Sequence, residues 1–143
     1  MATSAFSKYQ DFSDQLARGV HDWDAHVFKV ALTNTAPTAT HTSLSQITEI
    51  AAGSGYTAGG TATTITVSET SGTTTVSGTE VVFTASGAMA TFRYAVLYND
   101  TATSPADALV GYMDYGAAIS MTSGETFTVR FNNASPGTIF TLA

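Results

Sequence analysis

The segment Phe92-Arg93-Tyr94-Ala95-Val96-Leu97-Tyr98 is apolar at almost every position and stops at Asn99-Asp100. A strand with one wet face alternates, so a run that does not alternate belongs in the middle of a sheet covered on both sides. The neighbouring runs do alternate. Phe127, Val129 and Phe131 are interleaved with Thr126, Thr128 and Arg130. His26, Phe28, Val30 and Leu32 alternate with Val27, Lys29, Ala31 and Thr33, and that run ends in Asn34-Thr35-Ala36-Pro37. Such a period of two, closed by turn residues, predicts strands.

Further strands are expected near 63–68, 74–77, 80–85, 90–98, 108–115 and 126–131, with a last one around 138–142. About eight short strands at turn-limited spacing predict a mainly-β fold, a β-sandwich for which a jelly-roll-like arrangement is open. The 143 residues suit a single domain. A chain of that size buries roughly 70% of its unfolded surface, so it needs no staples. Cysteine is absent, which excludes a disulfide framework, thiolate metal sites and a cysteine nucleophile.

One segment has a different period. Phe6, Tyr9, Phe12, Leu16 and Val20 recur at three- and four-residue steps, predicting one amphipathic helix from about Ser7 to Arg18. Ser4 or Ser7 can cap its start and Gly19 its end. The aromatic stripe can dock on the protein's own sheet or, as an arm over 1–20, on a neighbouring subunit; the β-rich body then spans 26–143. A helical turn is expected near 43–50, where Leu44, Ile47 and Ile50 share a face.

Charge narrows the partners. Five Lys and Arg against 11 Asp and Glu give a net charge of -6, which repels phosphates and sets nucleic acid aside. Only 11% of residues are charged, against about a quarter in ordinary proteins. Thr, Ser, Ala and Gly fill the gap. Hydroxyls re-pair across a contact while buried charges need partners, so such a surface permits packed assemblies. No apolar run reaches the roughly 18 residues of a membrane span. Met1-Ala2-Thr3-Ser4 has neither the basic flank nor the apolar stretch of a secretory signal, so the chain is expected to fold where it is made.

Three patterns invite a chemical reading. His21-Asp22-Trp23-Asp24-Ala25-His26 would bring Asp22, Asp24 and His26 to one face of an extended chain, but the spacing matches no familiar metal motif; the plainer reading is a polar connection whose Trp23 seals the core. The glycines of Gly53-Ser54-Gly55-Tyr56-Thr57-Ala58-Gly59-Gly60 precede no helix and carry no Gly-Lys-Ser/Thr, so they predict a flexible or contact-making loop. For hydrolysis, His21, His26 and His41 accompany many serines, yet no Gly-x-Ser-x-Gly occurs. Asp100 with Asp107, or Asp114 with Glu125, would have to flank a glycosidic bond from turns, where acids are ordinarily solvated. We expect no enzyme and no cofactor. Tyr94, Tyr98, Tyr112 and Tyr115 offer rings for stacking on sugars, or for the wet edge of a sandwich core.

Several segments resemble a family of small tailed-bacteriophage virion proteins: Leu16-Ala17-Arg18-Gly19-Val20-His21, Lys29-Val30-Ala31-Leu32-Thr33-Asn34-Thr35-Ala36-Pro37, the stretch from Ile47 to Gly60, Phe92 to Asp100, Gly111-Tyr112-Met113-Asp114-Tyr115-Gly116, and Gly124 to Val129. The stretch 61–79 matches no such motif. The resemblance implies a decoration or cement protein on the capsid exterior, made in the host cytoplasm, trimeric, and bound to the major capsid protein. Contact surfaces expected for that role are the helix stripe Phe6, Tyr9, Phe12 and Leu16, and the loop residues Gly53, Gly55, Tyr56, Gly59 and Gly60. Burying one such aromatic contributes roughly 1.5–3 kcal/mol. A tail or neck component and a host-surface carbohydrate-binding module are the alternatives.

Overall fold

The computed structural model describes residues 4–143; Met1, Ala2 and Thr3, the start of the expected arm, lie outside the described residues. Ten strands and one short helix follow in the order β1 (Ser7–Lys8), α1 (Phe12–Ala17), β2 (Phe28–Thr33), a 3₁₀ turn (Leu44–Gln46), β3 (Thr61–Thr63), β4 (Ile65–Thr70), β5 (Thr73–Gly78), β6 (Val81–Thr84), β7 (Met89–Thr103), β8 (Ala106–Met121), β9 (Thr126–Val129) and β10 (Gly137–Leu142). They form a five-stranded sheet ordered β1-β8-β7-β2-β3, a three-stranded sheet β10-β5-β4 and a pair β6-β9. Every pairing is antiparallel. The fold is mainly β, as the alternating runs predict.

β7 is buried on both faces because both alternating sets of its side chains are apolar. Phe92, Ala95 and Leu97 face Val76 of β5, Phe83 of β6, Val129 of β9 and Ile139 of β10 across the main core. Val96 and Tyr98 face the other way, into a second cluster with Tyr9, Ala31 and Leu109, under Leu44, Ile47 and Tyr112. The two small sheets therefore cover the inner face of the large sheet, and the N-terminal segment with the 3₁₀ turn covers its outer face. β7 also runs past its expected end at Tyr98 to Thr103, because β8 keeps pairing with it as far as Thr103↔Ala106.

The N-terminal helix is the main departure. Only Phe12–Ala17 is helical, while Ser7 and Lys8 pair with Tyr112 and Gly111 as an edge strand. An isolated helix shorter than about 12 residues is marginal in water, whereas the free edge of β8 offers backbone partners. Gly111 makes the approach possible, since a Cβ there would lie 2.3 Å from the Phe6 ring. Neither Ser4 nor Ser7 caps the helix; Asp11 stands at its start. Gly19 ends it as expected, at φ +73°, with Gly19 and Val20 N–H donating to Leu16 and Gln15 carbonyls. The expected turn at 43–50 shrinks to Leu44–Gln46, and Ile50 parts from Leu44 and Ile47 to join the inner core. Among the described residues no helix is long and apolar enough to cross a membrane.

One irregularity shapes the surface. From Tyr94↔Asp114 to Phe92↔Ile119 the ladder advances two residues on β7 (94 − 92) and five on β8 (119 − 114), so Tyr115–Ala118 bulges out of the sheet. Gly116, at φ +93°, turns the bulge.

Leu97 is fully buried between the layers. Leu97→Ala is expected to cost about 2–5 kcal/mol in urea unfolding; a loss under about 1 kcal/mol would remove β7 from the centre of the core.

Candidate functional site

The aromatic stripe belongs to the chain's own interior. Tyr9 is fully buried beside Tyr112, with ring centroids 5.2 Å apart. Phe12 packs edge-on against Trp23 at 6.2 Å and Phe140 at 5.6 Å. Phe6 lies edge-on to Phe131, half-buried, and Leu16 is half-buried against the same core. Of the four expected contact residues, Tyr9 and Phe12 present no surface to a partner, and Phe6 and Leu16 present only their rims.

The glycine loop is latched, not flexible. Glu49 Oε2 accepts from the Tyr56 hydroxyl at 2.5 Å and from Gly59 N–H at 2.7 Å. Leu32 N–H donates back to the Tyr56 oxygen at 3.1 Å, and the Tyr98 hydroxyl donates to the Gly59 carbonyl at 2.6 Å. Burial, with Glu49 beside it, pushes the Tyr56 phenol well above its ordinary pKa, so it stays a donor. Gly55 and Gly60 are needed for close approach: a Cβ would lie 2.0 Å from Thr84 O and 1.8 Å from Val30 O respectively. Tyr56 is buried and Gly59 and Gly60 are half-buried, which leaves Gly53 and Gly55 as the expected contact residues of this loop with open surface.

The His21–His26 segment forms a structural polar cluster. The Asn99 carboxamide oxygen accepts from Thr101 N–H at 3.0 Å and Ala102 N–H at 3.2 Å, which fixes its nitrogen as donor to His21 Nδ1 at 3.1 Å and His26 Nδ1 at 2.9 Å. His21 then carries its proton on Nε2 and donates to Gln15 Oε1 at 2.9 Å, while Gln15 Nε2 donates to Asp11 at 2.7 Å. Asp22 turns onto its own connection, accepting from Asp24 and Ala25 N–H. Asp22, Asp24 and His26 do not converge, and the described residues contain no group of three His, Asp or Glu able to hold a metal ion. Trp23 seals the core as expected, stacked on Phe28 at 4.1 Å and 7°. Burial first, then His26, lowers the His21 pKa to about 4.

Three of the four carboxylates considered for hydrolysis, Asp100, Asp114 and Glu125, are bonded within the fold. Asp100 pairs with Lys29 at 2.9 Å. Burial and Asp100 raise the Asp107 pKa. Glu125 accepts from the Thr122 N–H and hydroxyl, at the turn before β9. Asp114 holds Arg93 through two bonds of 2.8 and 3.0 Å and accepts from Gly116 N–H at 2.7 Å. Arg93 is the first cause of its lowered pKa.

Arg93 of that last pair lines a groove of about 360 Å³ between the β8 bulge and β9. Arg93 also sits 5.3 Å over the Tyr94 ring. Tyr115, 42% exposed, meets Phe127 edge-on at 5.6 Å. Arg130, bonded to Glu80 at 2.6 Å, and Asn132 and Asn133, both at positive φ, complete the rim. Of the four tyrosines considered for sugar stacking, Tyr98 is buried, Tyr94 and Tyr112 are half-buried, and Tyr115 offers an exposed ring. Sequence reasoning missed Gln15, Glu49 and Asn99, whose roles depend on partners far along the chain or on the other side of a turn.

No protein-family model matches the chain, and neither curated proteins nor solved structures give a significant match.

Gly60→Ala is expected to destabilise by more than about 3 kcal/mol, because strain at φ +75° adds to the collision with Val30. Gly19→Ala, with nothing within 4 Å, pays only the left-handed backbone, about 1–2 kcal/mol. Equal losses in chemical denaturation would show the loop to be loose.

His21 takes up its proton more readily in the unfolded chain than in the folded one. Stability is therefore full above pH 6.5 and falls as pH drops toward 4, by on the order of 2 kcal/mol after allowing for solvent at the ring edge. His21→Phe should lower stability at neutral pH and flatten this slope; an unchanged slope in melts between those pH values would refute it.

Proposed function

We propose that this chain is a structural protein of the tailed-bacteriophage virion, a decoration or cement protein that binds the capsid exterior and bridges neighbouring copies of the major capsid protein. The observation that carries the proposal is a β scaffold under a surface with little charge: 11% of residues are charged, and the exposed strand β4 and its half-buried partner β5 are rich in Thr and Ser. Polar and acidic groups that would be needed for chemistry are tied into the structure itself. Glu49 holds the glycine loop, Asp114 holds Arg93, and Asn99 holds two histidines.

Such a protein works by adhesion. Each copy adds contact free energy between shell subunits, and a copy or trimer attached at several points gains further through effective concentration. Because the helix stripe is turned inward, the contact surface moves to exposed features: the Tyr115–Ala118 bulge, the open side of the glycine loop, and the β4–β5 hairpin. The resemblance to virion proteins favours the head, in agreement with synthesis in the host cytoplasm and assembly without a membrane step.

The groove favours the second reading, a host-surface carbohydrate-binding module. An exposed tyrosine beside a planar arginine–carboxylate pair offers a stacking face and bidentate hydrogen bonding together. A tail or neck role uses the same scaffold at another place in the particle.

One experiment separates these readings. Density for the intact particle should contain the chain on the outer surface of the head, and purified protein should sediment with heads. Location on the tail would overturn the cement role. Head binding by the wild type, with no glycan retained by it on a glycan array, agrees with cementing; glycan binding that Tyr115→Ala abolishes, without head binding by the wild type, establishes the alternative.

A further inference from the structure

The β4 strand is the one long edge of this fold left without a blunting device among the described residues. β1 has two residues and a lysine, β3 has three residues, β6 and β9 have four each, and β10 carries a register shift between Thr138 and Phe140. β4 runs for six residues in unbroken register with β5, from Ile65↔Gly78 to Thr70↔Thr73. It contains no proline, lysine or arginine, and Glu69 is its one charge. That carboxylate is turned to its own hairpin, accepting from Gly72 N–H at 2.6 Å. Natural edges of this length ordinarily carry a bulge, a proline or an inward charge to stop strand addition.

The register also says which groups are free. Ser71 and Gly72, at φ +52° and +84°, make the two-residue turn, so its flanking residues Thr70 and Thr73 form a hydrogen-bonded pair. The Thr79 N–H donating to Thr64 O at 3.0 Å continues that parity to the other end of the hairpin. Even-numbered residues of β4 thus bond to β5, and Ile65, Val67 and Glu69 direct their N–H and C=O outward. Val67 is cross-strand partner to the buried Val76, so the two share a face, yet Val67 is 42% exposed. An added strand would satisfy the outward backbone groups and cover this apolar side chain.

We infer that the β4 edge is a homotypic contact, in which β4 of a second copy adds antiparallel about a two-fold axis at Val67. Outward groups must meet outward groups, so odd residues pair with odd residues. The one register that pairs all three outward residues places Val67 opposite Val67 and Ile65 opposite Glu69 on each side. No like charges then oppose each other, whereas a slip that centres the axis on Glu69 sets two carboxylates face to face. The contact is isologous and closes at two copies. It rests on the assembly reading above and names one partner for it: it joins two protomers, or two trimers, into a pair.

The test is the mass of the purified full chain by light scattering, at concentrations up to about 100 μM. Val67→Pro removes an outward N–H and no bond to β5, so the hairpin is retained while strand addition is blocked. Wild type is expected at twice the mass of Val67→Pro, and Val67→Lys, which sets two ammonium groups together on the axis, should match Val67→Pro. Equal masses for wild type and both variants would overturn the contact. The register has its own test, because the chain has no native cysteine. Thr66 and Ser68 face each other as a non-hydrogen-bonded pair with Cα atoms about 4.5 Å apart, within disulfide reach. A mixture of Thr66→Cys and Ser68→Cys proteins should cross-link to each other faster than either does to itself; the absence of that preference would refute the register. Sedimentation of Val67→Pro with phage heads is scored separately, so loss of pairing with head binding kept removes this contact and leaves the cement role standing.

Discussion

Burial of β7 on both faces is the constraint from which the rest of the molecule follows. Each face needs its own cover, and two short strand groups and a few loops supply them. The inner face takes the β10-β5-β4 sheet and the β6-β9 pair; the outer face takes Tyr9, Leu44 and Ile47. The N-terminal segment is thereby drawn into the fold. Once Tyr9 is needed above Val96 and Tyr98, residues 7 and 8 come to lie along β8, and a helix through them is no longer available.

Polar groups lock these covers in place. Asn99, near the end of β7, is bonded at once to two histidines and to two backbone amides beyond it. Through His21 and Gln15 it ties the helix to the central strand. Glu49 does the same for the glycine loop, drawing Tyr56 and Gly59 to one carboxylate. A buried polar group that is fully bonded specifies one arrangement, because any alternative leaves it unpaired at a cost of about 1–3 kcal/mol. The result is a body whose exposed parts include the Thr-rich β4 strand and the Tyr115–Ala118 bulge.

Much of this was legible in the residue pattern. The nearly continuous apolar character of Phe92–Tyr98 announced a central strand, and the alternation in Phe28–Thr33 and Thr126–Val129 announced strands, although Phe28–Thr33 proves buried on both faces as well. Trp23 was recognisable as a core seal. The helix was not, because Phe6, Tyr9, Phe12 and Leu16 fit a helical step that local pattern cannot distinguish from an extended edge followed by one helical turn. The latching of the loop was hidden for a related reason: glycine's freedom is visible in sequence, while the lack of Cβ-sized space at Gly60 arises only once Val30 lies against it.

The candidate surfaces divide along the same line. Tyr115 stood out by residue type, but its place on a five-residue advance opposite two depends on how β7 and β8 slip past one another. The β4 edge is legible only as a Thr-rich strand without proline or lysine; which of its backbone groups are free is set by the parity of the Ser71-Gly72 turn. The order of amino acids alone determined that this chain forms sheets, which strand lies at their centre, and that its surface carries little charge, because these depend on short-range period and composition. Tertiary structure decided which aromatics remain accessible, where the groove opens and which edge is unpaired. Those properties arise from contacts between residues tens of positions apart, and no local pattern encodes them.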